Sequence, residues 1–214
     1  MAGNTLIVVR ADGTRFPVEQ MEGLTVDFRG EGSTIEIGEG SVFRNSKIIM
    51  GLEGLVSIGR THRRGLNNTV VDMSGNGTGK LLSIGAGTSI EGCRFAMAGG
   101  GPREVRLGEH CLLSSNITFR PSDGHAIFDL TTGEVLNHAK PIHVGDHVWI
   151  GAGVTFVKGS RVAGNNVVGT QSLVSRRFDE QFTAIAGNPA RVVKTSIGWD
   201  RAHVEDYDAA LSKA

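Results

Sequence analysis

From Val144 onward one aliphatic or aromatic residue returns every six positions: Val144, Ile150, Phe156, Val162, Val168 and Val174. The residue after each is small in five cases of six (Gly145, Gly151, Ala163, Gly169, Ser175), with Val157 the exception. A helix repeats about every 3.6 residues and a strand about every 2, so neither accounts for this spacing. A short strand followed by a turn does account for it, with the first residue of each unit, and less strictly the fifth, pointing inward. Stacked units of this kind build a parallel β-helix.

The same signal runs earlier in shifted phases. Ile37, Phe43, Ile49 and Leu55 form one run, Ile84, Ile90 and Ala96 a second, Leu107, Leu113 and Phe119 a third. Ile37-Gly38, Ile84-Gly85 and Leu107-Gly108 open these runs as Val144-Gly145 opens the later one, and Ile58-Gly59 reads as another opening. The slips between runs predict extruded loops at 59–83, 97–106 and 120–141, which is where a solenoid carries its binding chemistry. Within the last, Ile127–Leu130 and Glu134–Leu136 flank Thr131-Thr132-Gly133 and predict a small hairpin.

The ends read differently. Residues 1–34 predict a β cap over the first open edge, 35–175 the β-helix proper, and 176–214 a turn at Gly187-Asn188-Pro189 followed by one short helix from Arg201 to Leu211. The whole reads as one domain. Valine and isoleucine number thirty-five against fourteen leucines, which favours strands over helices. Lys plus Arg and Asp plus Glu both number 22, so no global basic field attracts nucleic acid. No apolar run has the length of a membrane span and no signal-peptide pattern opens the chain, so a cytoplasmic location is expected.

The stretch Pro141 to Ala152 (PIHVGDHVWIGA) and the later Ala186-Gly187-Asn188-Pro189-Ala190-Arg191 resemble the hexapeptide-repeat acyltransferases. That resemblance implies a left-handed parallel β-helix with triangular coils, a homotrimer, and acetyl-CoA as cosubstrate with no metal. Ser122-Asp123-Gly124-His125, followed by a hairpin and then His147-Val148-Trp149, is similar to the bacterial capsule and polysaccharide O-acetyltransferases. It implies acetyl transfer to a saccharide or polysaccharide hydroxyl. Two other readings stay open: a small acceptor, such as an antibiotic hydroxyl or a nucleotide-sugar amine, and a non-catalytic β-helix scaffold.

Acyl transfer to a hydroxyl needs a base for the proton and donors for the developing oxyanion. Of seven histidines, His125 lies where the chain leaves the repeat, six residues after the inward Phe119, and matches the family's base. Asp123 or a backbone carbonyl is a candidate to orient it. Trp149 takes the last, outward place of its hexad, so a large ring there calls for cover from a loop, a ligand or another subunit. The family places this tryptophan at the active site. The resemblance assigns Gly151, Ala152, Gly169, Thr170, Ser175, Arg176, Arg191 and Lys194 to CoA; Asp123 is a candidate on the acceptor side, and His147, part of the repeat tag beside Asp146, reads as structural or as near the acceptor. His138 and His143 have a spacing that suggests metal, but a catalytic zinc takes three protein ligands and no third histidine falls at the right distance. Cys111 falls at an inward position and Cys93 has no histidine beside it, so direct transfer is expected rather than an acyl-enzyme. Arg60, His62, Arg63 and Arg64 form a basic cluster that reads either as a solvated loop or, for an anionic polysaccharide acceptor, as the first place to seek its contact.

Overall fold

The computed structural model describes residues 3–211. Three parallel sheets of nine, eight and seven strands form the sides of a triangular prism, and each coil of the chain visits them in the order one, two, three. Ile142–Val144, Trp149–Ile150 and Thr155–Val157 supply the sides of one coil, and Arg161–Val162, Val167–Val168 and Leu173–Val174 those of the next. Each strand pairs with its equivalents one coil away, so like positions stack. Ile84, Leu107, Val144 and Val162 line up in sheet one. Ile90, Leu113, Ile150 and Val168 do so in sheet two, and Phe95, Phe119, Phe156 and Val174 in sheet three. All are buried, as are the fifth-place residues Val148, Val154, Ser160, Asn166 and Ser172.

Polar side chains at the fifth place are used to tie corners. Asn166 Nδ2 donates to the carbonyls of Ala163 and Glu180, and its Oδ1 accepts from Thr183 N. Phe95, Phe119 and Phe156 stack face to face across three coils, with centroids 5.0 and 4.7 Å apart.

The N-terminal coils are wider. Their strands reach five residues and bury three alternating side chains each, Lys80, Leu82 and Ile84 in Lys80–Ile84, Thr69, Val71 and Met73 in Thr69–Met73. The corner after sheet two is also one residue tighter there: Phe43 is followed inward by Ile48, Leu66 by Val71 and Ile90 by Phe95. Asn45 and Asn68, both at positive φ, make two of these corners. A strict six-residue count therefore slips: Ile49 and Ala96 are only half-buried and Leu55 is exposed, while Ile48, Phe95 and Val56 fill the core.

For the same reason residues 59–83 are not an extruded loop. Leu66–Asn67 and Thr69–Met73 are sides of a full coil, and Lys80–Ile84 opens the next. Of 97–106, only the turn before Arg103–Leu107 leaves the strands, and Met97 and Val105 are buried. The β-helix is also longer than 35–175: Thr5–Val9 already belongs to sheet one, Leu24–Phe28 to sheet three, and Ala184–Gly187 continues sheet two.

Antiparallel strands close both ends, Arg15–Pro17 on Thr5–Val9 and Ala190–Lys194 on Ala184–Gly187, the latter through a cis Asn188–Pro189 peptide. Such pairing removes exposed parallel edges. The helix spans Val204–Leu211. No helix among the described residues is long and apolar enough to cross a membrane.

Candidate active site

The corner between sheets three and one carries the long excursion. The chain leaves after Arg120 and returns at Ile142, and Lys140 N donates to Pro121 O at 3.1 Å across the neck. Beyond the neck lies a hairpin closed by a Phe128–Val135 bridge, Asp129 N to Glu134 O at 2.9 Å and Leu136 N to Ile127 O at 2.8 Å. Asn137 is its hub. Its Nδ2 donates to His125 O and to Asp123 Oδ2, both at 2.8 Å, while its Oδ1 accepts from Ile127 N at 2.7 Å.

Lys158, on the same corner one coil later, pairs with Asp123 and donates to Asn137 O at 3.4 Å. The ammonium of Lys158, with help from Asn137, holds the Asp123 carboxyl below its ordinary range. Arg103 reaches from beneath: its guanidinium donates to Gly100 O, Gly101 O and Ser122 Oγ, and Ser122 Oγ accepts from Gly124 N. The backbone on both sides of His125 is thus fixed, while its imidazole is exposed and bonds to no group among the described residues. Asp123 makes no bond to that ring: its Oδ2 meets both Lys158 and Asn137.

Trp149 faces outward from sheet two and is 40% exposed. Part of its cover comes from its own chain: Trp199, in the C-terminal tail, lies 6.2 Å away with the rings tilted by 43°. Trp199 stacks on His147 at 4.3 Å and 12°, and its Nε1 donates to His147 O at 2.9 Å. The His147 Nδ1 lies 3.1 Å from Asn165 Oδ1. His147 also holds a positive φ at a corner where the coils above and below use His110 and Asn165 in the same conformation. Its contacts are those of a corner residue packed under a tryptophan. His143 Nε2 lies 2.7 Å from Glu104 Oε1 on the outer face of sheet one, whereas His138 is exposed on the loop.

The residues assigned to CoA fall into two sets. Gly151-Ala152 and Gly169-Thr170 stack at the corner between sheets two and three, and Arg191 and Lys194 are exposed on the edge strand of sheet two. A Cβ on Gly151 would lie 2.8 Å from Thr170 N, so close coil stacking already demands glycine there. Ser175 and Arg176 are exposed at the other corner, between sheets three and one, with Arg176 over the Phe178 ring at 5.0 Å. His125 therefore shares a corner with Ser175 and Arg176, and that corner lies opposite sheet two with Trp149. One chain does not bring the two sets together.

Both cysteines are buried. Burial pushes the Cys111 thiol up to about 11 and the Cys93 thiol well above its ordinary value, so neither supplies a thiolate near neutral pH. Sequence reasoning missed Trp199, Asn137, Lys158 and Arg103. Trp199 left one usable signal, as the second of only two tryptophans, outside any repeat.

No family model matches the chain. It is 36% identical over 129 residues to a polysialic acid O-acetyltransferase of Neisseria meningitidis, an alignment covering 59% of each protein. Against a polysialic acid O-acetyltransferase of Escherichia coli O1:K1 it is 30% identical over 125 residues, 58% of this chain and 37% of that one. The chain thus spans between about a third and three-fifths of these relatives' lengths. The crystal structure of the polysialic-acid-specific acetyltransferase NeuO superposes with a TM-score of 0.77 and 25% identity, covering 98% of this chain and 95% of the other. The relatives that this chain matches thus include polysialic acid O-acetyltransferases. The fold is the left-handed β-helix of those acetyltransferases.

Proposed function

We propose that this chain transfers an acetyl group from acetyl-CoA to a hydroxyl of a saccharide, polysaccharides being the preferred class, directly within a ternary complex. The observation that carries the reading is the His125 imidazole, exposed and, among the described residues, unpartnered, on a loop that Asn137, Asp123 and Lys158 hold in place. It gains weight from homologues that modify polysialic acid.

In this reading His125 takes the proton of the acceptor hydroxyl as its oxygen attacks the thioester carbonyl. The imidazolium then returns that proton to the departing thiolate. Trp149 walls the reacting centre and excludes water. Ser175 and Arg176 meet the cofactor from the His125 side, and Gly151, Ala152, Gly169, Thr170, Arg191 and Lys194 from the sheet-two side, the last two toward the nucleotide phosphates. Among the described residues no carboxylate pairs with Arg191 or Lys194, which leaves both cations for phosphate. Asp123 and His147 act on the acceptor side through the loop frame and the corner they stabilise.

The two halves sit on opposite sides of the prism, which favours a closed head-to-tail ring in which the His125 corner of one copy meets sheet two of the next. We take that ring to be a homotrimer. We also take residues 1–214 as one acyltransferase unit working in the cytoplasm, where acetyl-CoA is available. Isothermal titration with CoA, followed by radiolabelled acetyl transfer to polysialic acid and a panel of neutral saccharides, tests the reading. Micromolar to millimolar CoA binding with label on a saccharide hydroxyl is the expected result. No CoA binding near millimolar concentration and no labelled saccharide would overturn it.

A further inference from the structure

After the last edge strand the chain turns back along the prism. Ile197 N donates to Phe182 O at 2.9 Å, then Trp199 packs on His147, and Arg201 reaches further back. The two terminal nitrogens of Arg201 donate to four oxygens: Ser89 Oγ at 2.8 Å, Gly87 O at 3.2 Å, His110 O at 3.3 Å and Cys111 O at 2.7 Å. With its donors so occupied and no carboxylate among these partners, Arg201 is an anchor rather than an anion ligand. The tail is therefore a strap, pinned to turns of two earlier coils. What the strap presents is Trp199, 6.2 Å from Trp149.

We infer that Trp199 is an acceptor-binding residue, forming with Trp149 an aromatic notch that takes one pyranose ring of the saccharide; this rests on the saccharide acetyl-transfer reading above. The chemistry of the notch points to that class. The Trp199 indole N–H is already bonded to His147 O and one of its faces is covered by the His147 ring. It therefore offers ring surface and no donor. A pyranose ring has an apolar C–H face with hydroxyls on its rim, so it matches an aromatic surface while the rim stays in contact with water and polar groups. CoA, by contrast, is expected to track glycine corners and basic residues. The two rings meet at 43°, a wedge rather than a flat stack. Trp149 also remains 40% exposed, so the notch is not sealed within the chain.

The test uses the full chain with polysialic acid and the neutral saccharide panel as acceptors. Trp199→Ala is expected to raise acceptor KM about tenfold, the range for losing a tryptophan contact, while acetyl-CoA KM stays within about twofold. Trp199→Phe, which keeps a ring and loses only a donor already spent, should recover most of the affinity. Arg201→Ala, which frees the strap without touching Trp199, should reproduce the rise in acceptor KM and covers the case in which Trp199→Ala folds poorly. Sedimentation mass should not change in any of the three.

Because the chain has only two tryptophans, Trp149→Phe leaves Trp199 as its sole indole reporter. Polysialic acid or the panel saccharide that is turned over should shift its fluorescence. An unchanged acceptor KM, an equal rise in both KM values, or a response of Trp149 in Trp199→Phe with none from Trp199 in Trp149→Phe would overturn the inference. A wild-type chain that acetylates no saccharide would instead overturn the underlying reading, and this inference with it; the wild-type assay alone distinguishes that case.

Discussion

Asn137 Nδ2 donates to the carbonyl oxygen of His125 at 2.8 Å, so an amide twelve residues away sets the backbone that carries the exposed imidazole. The same nitrogen reaches Asp123, and Lys158 closes the frame from the next coil. The candidate base is thus positioned through its main chain, with its ring left open to substrate.

Removing the imidazole and removing its frame should differ. His125→Ala is expected to lower turnover by about 10²–10⁴-fold with the assembly intact, since it deletes proton transfer rather than packing. Asn137→Ala should lower kcat by about tenfold with acetyl-CoA KM little changed, because displacement of a catalytic group degrades the reactive geometry first. Asn137→Asp, which turns a donor into an anion facing Asp123, should be at least as poor. Steady-state kinetics with sedimentation controls checks all three. Wild-type kcat in Asn137→Ala would remove the frame from the mechanism.

The frame should also respond to acid. Asp123 has its folded pKa lowered by Lys158, so its stabilising contribution is present above the ordinary carboxylate value of about 3.9 and is lost as pH falls through the lower folded value. Protease nicking of 121–141 should therefore rise below about pH 4, more steeply than in Asp123→Asn, which lacks the titrating group. Parallel profiles for the two proteins between pH 6 and 3 would show that Asp123 does not hold the loop.

Phe119 is the middle ring of a three-coil stack and is fully buried. Phe119→Ala should cost about 3–5 kcal/mol in equilibrium unfolding, the range for a large core side chain replaced by a cavity. Phe119→Leu should cost less than half of that. A loss below about 1 kcal/mol for the alanine variant would mean that neighbouring coils collapse onto the gap.

The repeat was legible from Val144 because each two- or three-residue strand there carries a single first-place inward side chain, as at Ile150 and Phe156. Earlier coils use four- and five-residue strands with two or three inward side chains and a five-residue step at one corner, so counting by six carried Ile49 and Ala96 off the core. His125 and Trp149 could be singled out because each breaks the repeat, one by leaving it and one by placing a large ring outside. Asn137 and Lys158 could not, and Trp199 stood out only by its rarity. Their roles depend on contacts between segments of different coils, and a period within the chain carries no such information.

Trp149 separates two roles by mass and rate measured together across a dilution series. If it lines the reacting centre, Trp149→Ala should lose turnover at constant mass. Trp149→Phe then reports whether shape or the indole N–H matters, by standing near wild type or near alanine. If it only packs against another copy, alanine should dissociate the assembly and activity should return at high concentration. A Trp149→Ala variant normal in both mass and rate would exclude either role.

The hydrogen bond across the loop neck, from Lys140 N to Pro121 O, makes the excursion at 121–141 a graft rather than a splice. Its two ends already sit side by side at one corner, where Arg120 pairs with Val157 of the following coil and Ile142 with Val105 of the preceding one. Closure entropy grows only slowly with loop length, so lengthening, shortening or exchanging what hangs beyond the neck changes little in the stack below it. The loop that presents His125 can therefore vary around its own Asn137 frame, while the prism that carries it stays under separate constraint.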